Sequence, residues 1–519
     1  MFRFTPIGSE IRRHMKLTAM SVGVAVVALT TVTGTAQAVK KGGTLVVGLE
    51  TDLAGFEALK AHVLGVSANT VGVTIMERLG EFDDNGKMRS VLAVDAQEAD
   101  DGLSWTYKLR KGVKYHNGDD WNADQYVFYI NRLLEPKNRY FGRLFMSQLK
   151  SAEKVDDHTV KLNLKYRYIP QSYAGAAYSF STFIGNKSAI EDGSMHRKPV
   201  GTGPFVLKEW KSGDRIIVEK NPHHWNADNV HLDKIIFRFL PDQQTRFASL
   251  RSGEVDIIWT DRGATILKAK KEDNLTVHSR DGRGALILFL NNAKPPFDDI
   301  NARRAVSHAW NQAVYHKAVR MQTFVAEHPL GPDANCDAGY RKTDNKAAKE
   351  FAAKYEAQHG KPIAFEMIHT STQRGREYGE VVQQLMKRVG IVTNLQPVDQ
   401  LQLRQKVFTN NYNMSGWRIA DAPEVSSQLF ALLYSKSPYN LAKYQNPEAD
   451  KLIFAMNSSK TEADYRKNQC AVARLINDDA MIMMSGGRRH HAISRKGVVN
   501  DVPPLWQGTI DPRYIWVDK

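Results

Sequence analysis

The spacing of apolar positions changes period repeatedly along this chain, and each change marks an expected element. Thr159-Val160-Lys161-Leu162-Asn163-Leu164 alternates polar with apolar, the pattern of a strand with one face buried. Residues 286–290 are apolar without interruption, as in a strand covered on both faces. Tyr126, Val127, Ile130, Leu133 and Leu134 share a helical face, and Asn122 with Gln125 ahead of them spells a capping box. Residues 235–239 read as a strand, 242–250 as a helix and 255–259 as a second strand, together a strand–helix–strand unit. Strands are also expected at 44–49 and 103–109. Helices are expected at 70–79, 299–320, 344–358, 373–389 and 460–477, and Gly390 lies where a helix-ending glycine belongs.

Between Pro199 and Trp225 the pattern is that of a hairpin. Gly201-Thr202-Gly203-Pro204 is a tight turn whose glycines allow positive φ or close backbone approach, and Pro204 fixes φ at a strand's first position. Phe205-Val206-Leu207 and Ile216-Ile217-Val218-Glu219 are its strands, joined through Lys211-Ser212-Gly213-Asp214. Repeated β/α alternation over 519 residues implies an α/β protein with two or three lobes rather than one core.

Composition adds a compartment. Arg3, Arg12, Arg13 and Lys16 precede an apolar, small-residue stretch beginning at Leu17, and Ala36-Gln37-Ala38 closes it. That is an export signal spanning residues 1–38, with the mature chain starting near Val39; a membrane anchor is the alternative reading. No cysteine lies near the cleavage point, so a free periplasmic protein without a lipid anchor is expected. Lys and Arg outnumber Asp and Glu 71 to 56, but the basic residues are scattered. Scattered charge is solvated surface and excludes a nucleic-acid groove. The two cysteines, Cys336 and Cys470, are expected to pair in an oxidising compartment, with two buried free thiols as the alternative.

Catalytic chemistry has no sequence support. G-x-S-x-G, H-E-x-x-H, G-x-G-x-x-G and the phosphate-binding G-x-x-x-x-G-K-S/T are all absent, so neither an enzyme nor a cofactor is expected. His223-His224 and His490-His491 are candidate metal ligands, but neighbours in a strand point to opposite faces, so no metal site is expected.

The hairpin's order (G-T-G-P-F, a Trp, a Gly turn, an apolar strand, N-P-x-x-W) resembles the signature of the ABC-transporter extracytoplasmic solute-binding proteins of family 5, receptors for peptides, nickel chelates and opines. Other segments resemble the same family in the same order. They are Gly43 to Leu49, Leu109 to Gly118 with Trp121-Asn122-Ala123-Asp124, Leu250 to Ile257, Leu288 to Asn292, Pro296 to Asp299 and Arg303 to Val306. The resemblance implies a two-lobed periplasmic binding protein fold of type II, with a hinge of crossing strands and an extra strand-rich subdomain in lobe I. It places lobe I at 39–279 with the inserted subdomain at about 75–195, lobe II at 280–485, and a C-terminal segment at 486–519 that returns to lobe I. It implies a monomer that captures a small solute between the lobes, a di- or oligopeptide first, and delivers it to the transmembrane subunits of an ABC permease. An opine, nickel chelate, modified amino acid or oligosaccharide is the alternative ligand, and a secreted hydrolase the alternative from another class.

The resemblance also supplies candidate ligand contacts. In peptide-binding relatives a Gly-Trp strand runs along the ligand and a following carboxylate pairs with its ammonium. Here that implies Trp417 and Asp421, although Asp421 lies four residues beyond the Trp where those relatives usually have three; the alternative is that Asp421 caps the turn before Pro423. Arg374 and Arg376, opening a helix, are candidates for the ligand carboxylate, because a guanidinium fork fits it; the alternative is a solvated first turn. Trp259 and Trp417 are candidates for stacking on ligand or equally for core packing. Asp52, at the end of the first strand, and Asn440 complete the set.

Overall fold

The computed structural model describes residues 39–61, 65–83, 88–168, 183–332, 334, 336–419, 421 and 425–519, so the expected export signal lies outside the described residues. Strand β1 (Thr44–Leu49) leads to the helix Val66–Ile75. The expected helix at 70–79 therefore starts and ends earlier. At its end the Gly203 N–H donates to the Ile75 carbonyl (2.9 Å), and a Cβ built on Gly201 would sit 2.0 Å from that same oxygen. The two glycines serve close backbone approach, and neither has positive φ.

The short hairpin β2 (Gly80–Phe82) and β3 (Met88–Ser90) comes next. Strands β4 (Ala93–Glu98), β5 (Ser104–Leu109), β6 (Leu149–Asp156) and β7 (Thr159–Leu164) form a separate antiparallel sheet in the order β4-β5-β7-β6. The alternating strand 159–164 buries Val160, Leu162 and Leu164, as its pattern requires. The helix Ala123–Leu134 packs on this sheet, capped by the Asn122 side chain, which accepts from the Gln125 N–H. The reciprocal half of the capping box is not made. Gln125 instead accepts from the Lys187 N–H (2.8 Å), joining a neighbouring segment.

Strands β8 (Phe205–Lys211), β9 (Arg215–Lys220), β10 (Lys234–Phe239) and β11 (Ile257–Trp259) return the chain to β1. β10 and β11 both run parallel to β1, with the helix Gln243–Ser252 between them capped by Asp242 and closed by Gly253 at φ +83°. The next five strands are β12 (Leu275–Leu290), β13 (Ala364–Thr370), β14 (Val392–Val398), β15 (Met414–Ile419) and β16 (Ile482–Arg495). They extend the sheet to ten strands in the order β14-β13-β15-β12-β16-β11-β1-β10-β9-β8.

β12 is much longer than the apolar run that announced it, and with β16 it is the seam of the molecule. The two pair antiparallel from Leu275↔Arg495 to Phe289↔Ile482. At one end β16 continues onto β11 through Trp259↔Ala492; at the other, β12 continues onto β15 through Ala285↔Ile419. Two crossing strands thus join a half-sheet of lobe I to one of lobe II. Their register slips at Gly282/Ala285, Gly284 has φ +86°, and Gly486 has φ +150°.

Each lobe has its own core. Leu45, Val47 and Phe237 belong to lobe I. Along β12, Ile287 and Phe289 enter one core of lobe II while Leu288 and Leu290 enter a second on the opposite face, which is why 286–290 is uniformly apolar. The expected helix at 299–320 is two, Ile300–Ala309 and Gln312–Ala318. Trp310 is extended between them, its indole donating to the Met484 carbonyl, and Asn311 caps the second. Cys336 and Cys470 are disulfide-bonded (Cα–Cα 5.6 Å), tying the loop before the helix Asn345–His359 to the helix Glu462–Asp478. After β16 the tail packs back on lobe I: the Trp506 indole donates to the Asp83 carbonyl, Arg513 is bound to Glu81 and Asp511, and Lys519 to Asp256 (2.7 Å).

Candidate functional site

The C-terminal ends of β1, β11, β13 and β15 meet at the seam, and charged side chains collect there. Open α/β sheets bind ligands outside the carboxyl ends of their strands, because loops and helix N-termini converge at that edge. Glu50 follows β1, Asp261 follows β11, Arg374 stands in the first turn of the helix Gln373–Lys387 after β13, Arg418 lies near the end of β15, and Arg488 lies on β16 opposite Gly282.

Among the described residues an ion pair crosses the cleft. The Arg374 guanidinium of lobe II is bound to the Asp261 carboxylate of lobe I. Tyr315 also bonds Arg374, and burial lifts its hydroxyl to about 12. Arg262, beside Asp261, approaches the same carboxylate at 3.6 Å. Burial would raise Asp261, but Arg374 and Arg262 outweigh it and hold the carboxyl below its ordinary value. Glu50 is shifted the other way: burial and the Asp261 charge raise it against Arg246, Arg262 and Arg374. Arg246 is buried, with its guanidinium bound to Gln243 and to the carbonyls of Leu240 and Trp259, so it supports the floor rather than facing the cleft.

The wall on the lobe II side is basic. The Arg418 side chain reaches solvent, but protein crowded about its guanidinium lowers it, and the neighbouring charges of Arg404 and Arg374 lower it further against that of Asp261. Burial pushes Arg488 down to about 10, and the like charge of Arg418 adds to this against that of Asp421. The Arg488 Nε is enclosed and has no hydrogen-bond partner among the described residues.

The seven sequence candidates are not brought together. Arg374 is in the cleft and half-buried. Arg376, two positions on, is exposed and turns back to the Ser371 carbonyl, because helical geometry carries it to a different face. Trp259 packs against the lobe I core with its indole N–H buried and unpartnered among the described residues. Trp417 packs between Phe289, tilted against it at 5.9 Å, and Phe408, edge-on at 6.3 Å, and belongs to lobe II packing. Asp52 is a latch: its carboxylate accepts from the Leu53 N–H, the Trp210 indole (3.0 Å) and the Gly213 N–H (2.9 Å), fixing the β8–β9 hairpin to the end of β1. Asn440 is buried and spends both ends of its amide on the Tyr444 backbone.

Asp421 is the main departure from the reading by resemblance. Its carboxylate accepts from the Arg283 N–H (2.8 Å) and the Gln507 N–H (3.2 Å) and pairs with the His490 ring at 3.0 Å. Those donors come from the seam, the C-terminal tail and β16, so Asp421 fastens three segments at the hinge. A Cβ at Gly282 would lie 2.5 Å from this carboxylate, so glycine there makes the approach possible. Pro423, the reference point for the capping alternative, lies outside the described residues. His491 points the other way, to Ser279 and the Gln322 carbonyl, and His224 bonds Glu77; among the described residues no His, Cys, Asp and Glu cluster has metal-site form.

Sequence reasoning missed Asp261, Arg418 and Arg488. Arg418 directly follows Trp417, and Arg488 follows a Gly-Gly pair inside an apolar strand, where a charge is out of pattern. Those out-of-place charges were the signal.

Two α/β lobes, a hinge of two crossing strands and a charged cleft at the strand ends define a two-lobed ligand-binding protein. Residues 87–440 match the model of the bacterial extracellular solute-binding proteins, family 5 (middle), and the chain belongs to that family. It is 27% identical over 431 residues to heme-binding protein A of Haemophilus influenzae, covering 75% of this chain and 77% of that protein. It is 26% identical to oligopeptide-binding protein AppA of Bacillus subtilis, covering 85% of each. The fold matches the periplasmic binding protein DppA of Helicobacter pylori, solved with the peptide STSA, at a TM-score of 0.80 and 22% identity over 92% of this chain and 99% of that one. No helix among the described residues is long and apolar enough to cross a membrane.

Proposed function

We propose that this protein is the periplasmic substrate-binding component of an ABC importer and that it captures a di- or oligopeptide between its lobes for delivery to the permease. The observation that carries the peptide reading is the Arg374–Asp261 pair across the cleft. A zwitterion can enter such a pair end by end, its carboxylate on Arg374 and its ammonium on Asp261, and so contact both lobes at once. Contacts to both lobes are what make closure favourable, since a ligand shifts a hinge only by its differential affinity for the closed state. Relatives named for oligopeptide and di/tripeptide binding support the same reading. The resemblance further supports a monomer with lobe I at 39–279, lobe II at 280–485 and 486–519 returning to lobe I, and the basic n-region, apolar stretch and Ala36-Gln37-Ala38 support export through a signal peptide. Calorimetric titration with a peptide mixture, together with small-angle scattering, tests the function. Saturable binding with a smaller radius of gyration is expected; absence of binding, or binding without compaction, overturns it.

A further inference from the structure

The cleft holds more positive charge than its own acids neutralise. Arg374 has Asp261 as its carboxylate. Arg418 is exposed at the end of β15 and Arg488 is half-buried on β16, and no carboxylate among the described residues is in contact with either. Asp421, the other acid near Arg488, is already engaged by two backbone N–H groups and His490. Glu50 lies on the lobe I side with Arg246 and Arg262 beside it, and burial there favours its neutral form.

Three guanidiniums that remain charged at any physiological pH are thus set in one another's field at the floor of a hinge. Keeping like charges together in a partly desolvated site opposes folding, and the charges of Asp261 and Asp421 offset it only in part, since neither touches Arg418 or Arg488. The geometry of the strands holds them there. Arg418 is in register with Leu286 and Leu286 with Gly486, two positions before Arg488, so the two arginines rise from adjacent rows of the same seam. Arg374 reaches the same place from the helix N-terminus above β13, itself favourable to anions.

We propose that Arg374, Arg418 and Arg488 form one anion-binding subsite and that the natural ligand brings two carboxylates to it. Two carboxylates give the three guanidiniums anionic partners beyond Asp261, and each planar fork can take a carboxylate through paired N–H donors. A peptide with a free C-terminus supplies one carboxylate and an acidic side chain the second; a non-peptide dicarboxylate supplies both. This rests on the solute-binding reading but selects among its ligands.

The test is calorimetric titration of the unliganded full-length mature protein with two pools of di- to pentapeptides, one containing Asp and Glu and the other the isosteric Asn and Gln, and with glutarate as a non-peptide dicarboxylate. The acidic pool should bind at least about tenfold more tightly than the neutral pool. Arg418→Gln and Arg488→Lys should bring that ratio toward one. Because Arg418 is exposed, its removal should leave the melting temperature of the unliganded protein unchanged or raised, whereas a structural arginine would lower it. Equal binding of both pools overturns the dicarboxylate proposal and leaves the peptide reading standing. Binding of glutarate with neither pool overturns the peptide reading and keeps the arginine subsite. Binding of none of the three overturns both.

Discussion

Two arginine clusters in this molecule are built in opposite ways. On lobe I, Arg513 is buried and bound to both Glu81 and Asp511, Arg89 adds a second contact to Glu81 (2.8 Å), and Arg78 lies on the ring of Phe183 (3.7 Å). In the cleft, Arg374 has one carboxylate partner and Arg418 and Arg488 touch none among the described residues. The first cluster is closed on itself and clamps the C-terminal tail. The second is left open at the place where the lobes must part. A completed ion network costs its desolvation once and then fixes geometry, whereas an incomplete one holds affinity in reserve for whatever completes it.

Breaking the closed cluster gives the largest expected effect. Arg513→Ala leaves buried Glu81 with Arg89 alone and half-buried Asp511 without its cation, and should lower stability by about 3–5 kcal/mol, read by chemical denaturation. A cost near zero would mean that the network does not clamp the tail. Acid probes the same cluster. Burial would raise Glu81, but Arg513 and Arg89 overcome it and hold its carboxyl well below the usual 4.5. A carboxyl lowered by folding contributes stability that is complete above the unfolded value and is lost as pH falls below it. Unfolding midpoints followed downward from pH 5 should therefore fall, and Glu81→Gln should flatten that slope.

Lobe II is fastened covalently instead. Replacing both Cys336 and Cys470 by serine releases a loop of 134 residues and should cost about 2–5 kcal/mol without altering ligand closure, because both ends lie in one lobe. Scattering with and without ligand, alongside denaturation, reads both effects; lost compaction would place the bridge in the hinge. Asp421→Asn comes next. It puts an amide where three donors converge, so the unliganded protein should lose about 1–3 kcal/mol while peptide affinity is retained. Weakened binding with intact stability would return Asp421 to the ligand. The smallest expected change in stability is that of Arg418→Gln, within about 0.5 kcal/mol of zero or stabilising. A clear loss would show that this arginine is paired like those of lobe I.

Much of the architecture could be read from local pattern. The alternation at 159–164, the strand–helix–strand unit around Asp242 and the hairpin after Gly203 depend on neighbours in sequence, and each lies where its pattern put it. Elements went astray where a distant segment intervened. The helix Val66–Ile75 ends where Gly203 reaches its last carbonyl, and the helices after Asp299 separate where Trp310 turns to Met484.

The candidate site was less legible, for the same reason. Residue type made Arg374 a candidate for a carboxylate and Asp421 and Asp52 candidate acids, since their chemistry is intrinsic. Whether an acid is free depends on which backbone N–H groups surround it, and those of Arg283, Gln507 and Gly213 lie far away in sequence. The sequence alone thus determined the kinds of element and the family pattern, both set by short-range periodicity and ordered motifs. Only the tertiary structure decided which charges are spent and which remain, because β12 and β16 bring Asp261, Arg374, Arg418 and Arg488 from four separate segments to one seam.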